Sequence, residues 1–447
     1  MAPAADVVVV GAGLGGLACG LDLTEAGRDV LVLERRPVVG GRTASWNDDG
    51  MAVESGLHRY LGFFSALTRL LERAGVDVND MVCWEDEFEV RLPDGGARGI
   101  LGVAPVYRPL RVLSGFLASP RLLSFRDEAS LVPFILAGVR DFLRRPFELD
   151  RWSVLDYAQR HRVTERAIRH LLTPLTAGIY FLPPERFSAA NLFNLIVPGL
   201  PRLPWMRLGV FRGGMTEVMC QPLVQAIGKS GGEVRTGVEV ERLAVHDGRV
   251  TGVVADGAEI RAEHVVVATS LGRAQPLLRE AVGEHPWFAA VLAMPTTPSV
   301  TIQLDLDRPA MDADRTVFGP GTATACFSEQ SRTTFPGQGR LSVILSPPEP
   351  FLEMEPAEVA KTAVADGERL GLPLDGHVTG FRVVSHPQDF PSLEPGHLRH
   401  RPSQRTPVPG LVLAGDYTRQ RFGVSMEGAV ISGQHAARVA LGHQRRR

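Results

Sequence analysis

The chain has 447 residues, 44% of them hydrophobic and 22% charged, which is enough to bury a large core and favours two domains over one compact unit. Lys+Arg 48 against Asp+Glu 50 gives a formal net charge of -2, so no overall field gathers nucleic acid, and polyanion binding is not expected. Cys19, Cys83, Cys220 and Cys326 are scattered without a CxxC pair or a metal-ligand spacing, and read as small, mostly buried thiols in a reducing, cytoplasmic setting.

Residues 1–6 lack the basic start and apolar stretch of a signal peptide and run straight into DVVVV at 6–10, the pattern of a strand buried on both faces. GAGLGG at 11–16 follows at once and opens a predicted helix over 14–26, and DVLVLE at 29–34 repeats the strand pattern. In that context Gly11, Gly13 and Gly16, with Ala12, Leu14 and Gly15 between them, permit a tight turn. A pyrophosphate could then approach backbone N–H groups at the positive end of a helix. Glu34, about twenty residues beyond Gly11, ends the second strand where a carboxylate accepts hydrogen bonds from ribose hydroxyls. After Glu34-Arg35, Gly40-Gly41-Arg42 brings two small residues and a planar guanidinium suited to phosphate. A further glycine turn carries Glu54, Gly56 and His58.

Residues 101–204 are rich in leucine, proline and helical spacing. Residues 233–269 read as strands punctuated by hairpin signals at Asp247-Gly248 and Asp256-Gly257, and 300–306 and 341–345 as strands of another sheet. The expected division is a dinucleotide-binding domain from 1–82, 207–288 and 400–447, interleaved with a substrate domain from 83–206 and 289–399. Residues 108–145 carry seven arginines against Asp127, Glu128 and Asp141, mixed with Phe116, Phe125, Phe134 and Leu136. Two readings stay open there: helices at 105–147 lying peripherally on an anionic membrane, or amphipathic core helices with solvated arginines. No uncharged run reaches the roughly 20 residues of a spanning helix. Near the C-terminus LVLAGD ends a strand at Gly415-Asp416, and Ser425-Met426 starts a helix of small residues. The carboxylate suits a ribityl hydroxyl, and the helix N-terminus suits negative charge developing at N1 and C2=O of a flavin. The tail 445–447 reads as a frayed basic end.

GAGLGGL, Glu34, Gly40-Gly41-Arg42 and Glu54-x-Gly56-x-His58 together resemble the FAD-dependent amine oxidase and carotenoid desaturase superfamily. PSQRTPVPGLVLAGDYTRQRFGVSMEGAVISG at 402–433 is similar to the ending of plant and cyanobacterial phytoene and zeta-carotene desaturases. FRGG at 211–214, GGEVR at 231–235, TIQL at 301–304 and LSPP at 345–348 extend the resemblance over most of the chain, whereas 101–204, where substrate shape is read, matches loosely. The resemblance implies an α/β fold: a Rossmann-like FAD-binding domain with a mostly parallel sheet, and an interleaved α+β substrate domain. It implies non-covalent FAD held by Gly11, Ala12, Gly13, Leu14, Gly15, Gly16, Glu34 and Arg35, with Gly40, Gly41 and Arg42 along the diphosphate. Gly56, Leu57 and His58 would lie beside the isoalloxazine ring, the Val240 amide at the adenine, and Ala268 near the diphosphate, with Gly415, Asp416, Ser425 and Met426 completing the site. No cysteine follows Cys326, so a cysteinyl-flavin has no candidate near Ser425.

The implied reaction removes hydride plus proton from a long apolar carotenoid or polyprenoid, with flavin N5 as hydride acceptor and a quinone or oxygen as final electron acceptor. His58 is the one candidate protein group near the flavin, for proton handling or ring electrostatics, against a structural histidine. Tyr417 either lines the substrate cavity or belongs to the core. The alternatives are an amine or amino-acid oxidase, a polyprenoid dehydroxylase or isomerase using reduced FAD, and a non-catalytic flavin-binding scaffold.

Overall fold

The valine run forms the strand Ala5–Val10 at the centre of a seven-stranded sheet in the computed structural model, which describes residues 5–85, 87–102 and 122–442. Val8 and Val9 are fully buried because neighbours cover both faces, as a parallel sheet requires. Val8 pairs in parallel with Leu31 of Val30–Glu34 on one side and with Val265 of Ala258–Val267 on the other. Glu233–Thr236 extends the sheet beyond Val30–Glu34. Ala258–Val267 serves three ladders. Its end pairs in parallel with Ala5–Val10 and Leu411–Leu413, and its start turns antiparallel to Arg249–Ala255, which pairs in turn with Val240–His246. Both expected hairpin turns are present: Asp247 (φ 49°) with Gly248 (φ 71°), and Asp256 (φ 50°) with Gly257 (φ 71°), each a two-residue turn with both φ values positive.

Leu14–Glu25, Gln221–Lys229 and Met426–Ala440 cover one face of this sheet, and Leu271–Val282 packs on the other. The first and last of these helices approach at glycines. A Cβ on Gly433 would lie 2.1 Å from the Gly15 carbonyl oxygen, and one on Gly15 would lie 3.3 Å from that of Ala429.

A second seven-stranded sheet runs in the order Val378–Pro391, Thr296–Leu306, Gly339–Leu345, Thr324–Glu329, Val317–Phe318, Glu87–Arg91, Arg98–Gly102. It is antiparallel except where Val317–Phe318 joins Glu87–Arg91. Pro356–Arg369 packs against this sheet, while Val154–Arg160, Thr173–Tyr180 and Ala189–Ile196 share a separate apolar cluster with Phe88 and Phe318. The first sheet draws on residues 5–34, 233–267 and 411–413 and the second on 87–102 and 296–391, so the chain crosses between them repeatedly.

Of the arginine-rich segment, residues 103–121 lie outside the described residues, as does the basic tail at 445–447. The rest forms Phe125–Arg144, whose capping box joins Ser124 and Asp127. Leu131 and Phe134 face inward, but Phe125 is 84% exposed and Leu136 and Leu143 each 67%. Among the described residues no helix is long and apolar enough to cross a membrane.

Candidate active site

At the end of Ala5–Val10 the chain turns through Gly11 at φ 104°. A Cβ there would stand 3.1 Å from the backbone of Ala268, so only glycine lets the two strand ends meet. Gly16 is tighter still, since its Cβ would come within 1.9 Å of the Gly11 carbonyl oxygen. Gly13 differs: nothing lies within 4 Å of a Cβ placed on it, and it borders a cavity. Gly40 folds back on this turn, donating its N–H to the Ala12 carbonyl at 2.9 Å. Glu34 is buried, accepting from the Ala12 N–H at 3.0 Å and the Arg36 N–H at 2.9 Å, and its side reaches the same cavity.

The cavity is continuous and holds about 1,260 Å³, above the roughly 300–1,000 Å³ of most small-molecule sites. Gly11, Gly13, Leu14, Gly15, Glu34, Arg35, Gly40, Gly41, Arg42, Gly56, Leu57, His58, Val240, Ala268, Gly415, Asp416, Ser425 and Met426 all line it. Three expected contacts do not. Ala12 is fully buried with its N–H spent on Glu34, and Gly16 is pressed against Gly11; both shape the turn from behind. Of the two readings open for Tyr417, cavity lining or core, the structure has the core one. Gly415 at φ 124° turns the chain so that Tyr417 packs among Val265, Val267 and Leu413, fully buried, its hydroxyl donating to the Val267 carbonyl at 3.3 Å.

Arg42 and Asp416 form an ion pair at 2.6 Å, with the Arg42 guanidinium 5.2 Å from the Phe390 ring centroid. The residue expected along the diphosphate and the one expected at a ribityl hydroxyl thus meet at the cavity wall. Behind them Arg401 donates to the Asp416 carbonyl at 3.2 Å; burial pulls its pKa down, against the opposing pull of the nearby Asp416 and Asp150 charges. Ser425 caps Met426–Ala440 by accepting from the Gly428 N–H at 3.0 Å, and this helix end faces the cavity through Ser425, Met426 and Ala429. His58 donates from Nδ1 to the Gly56 carbonyl at 2.6 Å, which commits that nitrogen to holding the turn.

Several lining or supporting groups escaped the motif reading. Arg59 lines the cavity but is locked, Nε to Thr316 at 2.8 Å and a terminal nitrogen to Asp314 at 3.3 Å, with Glu85 at 3.7 Å and Ser328 also in contact. Ser55 meets His386 at 3.1 Å. Glu427 accepts from the N–H groups of Ser65, Ala66 and Leu67, each at 2.8 Å, and so caps Ala66–Arg73. Glu54, which the motif reading did name, is wholly buried, and loss of water pushes its carboxyl up to about 7, against the hydrogen bonds of Gln330 and Ser342 and the charges of Arg59 and Arg340. Many of these partners, from Asp314 to His386, lie far along the chain in or beside the second sheet, where local spacing carries no signal.

Past the turn at 56–58 the cavity continues as an apolar lobe between Thr173–Tyr180, Ala189–Ile196 and the second sheet, walled by Phe63, Leu175, Ile179, Leu192, Leu195 and Ile196. The open space at Gly13, the buried acid at the strand end and the helix end at Ser425 fit a dinucleotide, and the lobe leaves room for a second molecule. A mostly parallel sheet with such a site is the frame of a dinucleotide-binding protein. The chain belongs to the flavin containing amine oxidoreductase family, whose model matches residues 14–441.

Among relatives, the chain is 24% identical to 15-cis-phytoene desaturase of Synechococcus elongatus, covering 98% of this chain and 96% of that protein. It is 27% identical to zeta-carotene desaturase of Synechocystis sp., covering 98% of each. Among solved structures, wild-type putrescine oxidase bound to putrescine superposes with a TM-score of 0.73 at 21% identity, covering 98% of this chain and 99% of that one. An oxidoreductase from Methanosarcina mazei gives a TM-score of 0.73 at 20% identity, covering 96% and 98%. Those structural likenesses speak to the fold.

Proposed function

We propose that the chain is a desaturase of a long apolar, polyprenoid-type molecule. The observation that carries this reading is the lobe, whose aliphatic and aromatic walls run on from the FAD-binding half of the same cavity. The desaturase names of the relatives support it. Bound FAD supplies a two-electron acceptor for hydrogen removed from an unactivated C–H bond. The protein's part is to hold the chain in register and keep water away, which Leu175, Ile179, Leu192 and Leu195 do by packing along it. With Nδ1 committed to Gly56, His58 acts on the local field rather than through that nitrogen's proton. The cofactor is held non-covalently and released as free flavin on denaturation, and a quinone or oxygen takes the electrons.

The helix Phe125–Arg144 is the proposed peripheral membrane contact. Phe125, Leu136, Leu143 and Phe147 are exposed apolar groups, and Arg126, Arg140, Arg144 and Arg145 are exposed cations beside them. On its inner side Phe134 meets Phe193 with ring centroids 5.3 Å apart, so this helix backs directly onto Ala189–Ile196, a wall of the lobe.

Anaerobic FAD-loaded protein should lose its flavin absorption when mixed with a linear polyprenoid hydrocarbon. Bleaching by small amines but by no hydrocarbon would overturn the desaturase reading and leave the FAD assignment standing. Glu34→Ala and Asp416→Ala should each lower flavin retention; unchanged flavin content in both would remove the proposed cofactor contacts.

A further inference from the structure

The apolar lobe contains two arginines in very different states. Arg59 is neutralised by Asp314 and Glu85 and hydrogen-bonded to Thr316. Arg207 lines the same cavity between Met206 and Leu208, half-buried, with no ion pair or side-chain hydrogen bond to any described residue. Its Nε is buried and without a partner.

Two tryptophans hold it in place. The guanidinium stacks 3.7 Å from the Trp84 ring centroid and lies 5.5 Å from that of Trp205. Trp84 is itself oriented by donating from Nε1 to Asn79 at 3.1 Å. Gly62 makes room for the stack, since a Cβ there would lie 2.4 Å from the Trp205 carbonyl oxygen and 2.9 Å from Arg207 Cγ. Trp205 is 55% exposed, which puts this end of the lobe at the protein surface. Stacking uses the face of a guanidinium and leaves its in-plane N–H edge available, the edge that pairs with carboxylate or phosphate. Leu61, Phe63, Met206 and Leu208 line the same cavity and supply no counter-charge, so an oxyanion brought in by a ligand would give this guanidinium its partner.

We infer that the Arg207 end of the lobe is a subsite for the oxyanion head, a carboxylate or phosphate, of an amphiphile whose apolar chain lies in the lobe. This rests on the proposed apolar-chain reading and narrows the ligand to a chain with an anionic end. The same cation disfavours an ammonium group entering there. The head belongs either to the bound small molecule itself or to a membrane lipid at the entrance, and the two share the same contact.

The test uses FAD-loaded protein, with geranylgeranyl monophosphate and the neutral alcohol geranylgeraniol as probes, each read by perturbation of the flavin spectrum. Wild type should prefer the phosphate by about tenfold or more, Arg207→Gln should lose that preference, and Arg207→Lys should keep part of it. Flavin content and Tm serve as the folding control for both variants. If the preference survives in solution but Arg207→Gln sediments less with phosphatidylglycerol vesicles, and unchanged with phosphatidylcholine, the head is that of the lipid and the subsite stands. Equal affinity for phosphate and alcohol in wild type, with vesicle binding the same in wild type and Arg207→Gln, overturns the inference. Oxidation of a hydrocarbon without any anion preference would sink this subsite and spare the desaturase reading. An Arg207-dependent anion preference without hydrocarbon oxidation would do the reverse.

Discussion

Replacing Glu54 by glutamine should stabilise the protein above neutral pH and leave it nearly unchanged in mild acid. Glu54 ends the strand Met51–Glu54, and its backbone is clasped by one side chain, Gln303, which accepts from its N–H at 2.9 Å and donates to its carbonyl at 2.7 Å. The carboxylate accepts from Gln330 at 2.9 Å and Ser342 at 3.0 Å, so the strand before the Ser55–His58 turn is tied to the second sheet. Burial lifts this carboxyl from the ordinary 4.5 to about 7. Between those two values the folded chain keeps a proton that the unfolded chain has released. The stabilisation is therefore complete below about pH 4.5 and lost as pH rises through 7, a total of about 3 kcal/mol. Glutamine stays neutral at every pH and offers an oxygen to the same two donors. The assay is thermal unfolding of FAD-saturated wild type and Glu54→Gln between pH 5 and 9. The two Tm curves should converge at the acid end and separate by several degrees at the alkaline end, the variant higher. Parallel curves, or a gap widest in acid, would refute the reasoning.

The remaining predictions concern the turn, the helix cap and the buried tyrosine. Gly16→Ala should cost about 3 kcal/mol or more and abolish flavin binding, because its methyl has no space beside Gly11, as Tm and flavin content will show. Gly13→Ala, at φ -75° with open space ahead of it, should fold with unchanged apo-protein Tm yet bind FAD more weakly by titration. Glu427→Ala leaves three buried N–H groups without their acceptor and should lower stability by about 3 kcal/mol or more in denaturant unfolding, with Glu427→Gln partly restoring it. Tyr417→Phe removes one hydrogen bond to Val267 and should cost about 1 kcal/mol without altering the flavin spectrum or its response to substrate.

The nucleotide-binding half was legible because its signals are local. The valine strand, the glycines at 11–16 and Glu34 fall within one unbroken unit, and the Asp-Gly pairs mark two-residue hairpins whose φ values leave little choice of residue. Gly415-Asp416 and Ser425 were readable for the same reason. Tyr417 was not, because the direction of its side chain depends on the positive φ of Gly415, and a stretch of small residues does not announce which one turns. The pairing of Arg42 with Asp416 joins positions from opposite ends of the chain, and each alone suited a different part of the cofactor. Arg59, His386 and Arg207 meet the cavity only once the second sheet and the three-stranded sheet around Leu208–Phe211 are in place, and their identities carry no periodicity to read.

The glycine contact between Leu14–Glu25 and Met426–Ala440 bears on the order of events during synthesis. The first helix is made early, but its outer side and the far wall of the cavity come from a helix more than four hundred residues later. On the ribosome the early turn can form while the site still lacks Asp416, Ser425 and the cap that Glu427 gives to Ala66–Arg73. The cavity wall is therefore complete only after the last strand and helix are made, and until then Ala258–Val267 has no neighbour on the side where Leu411–Leu413 will pair.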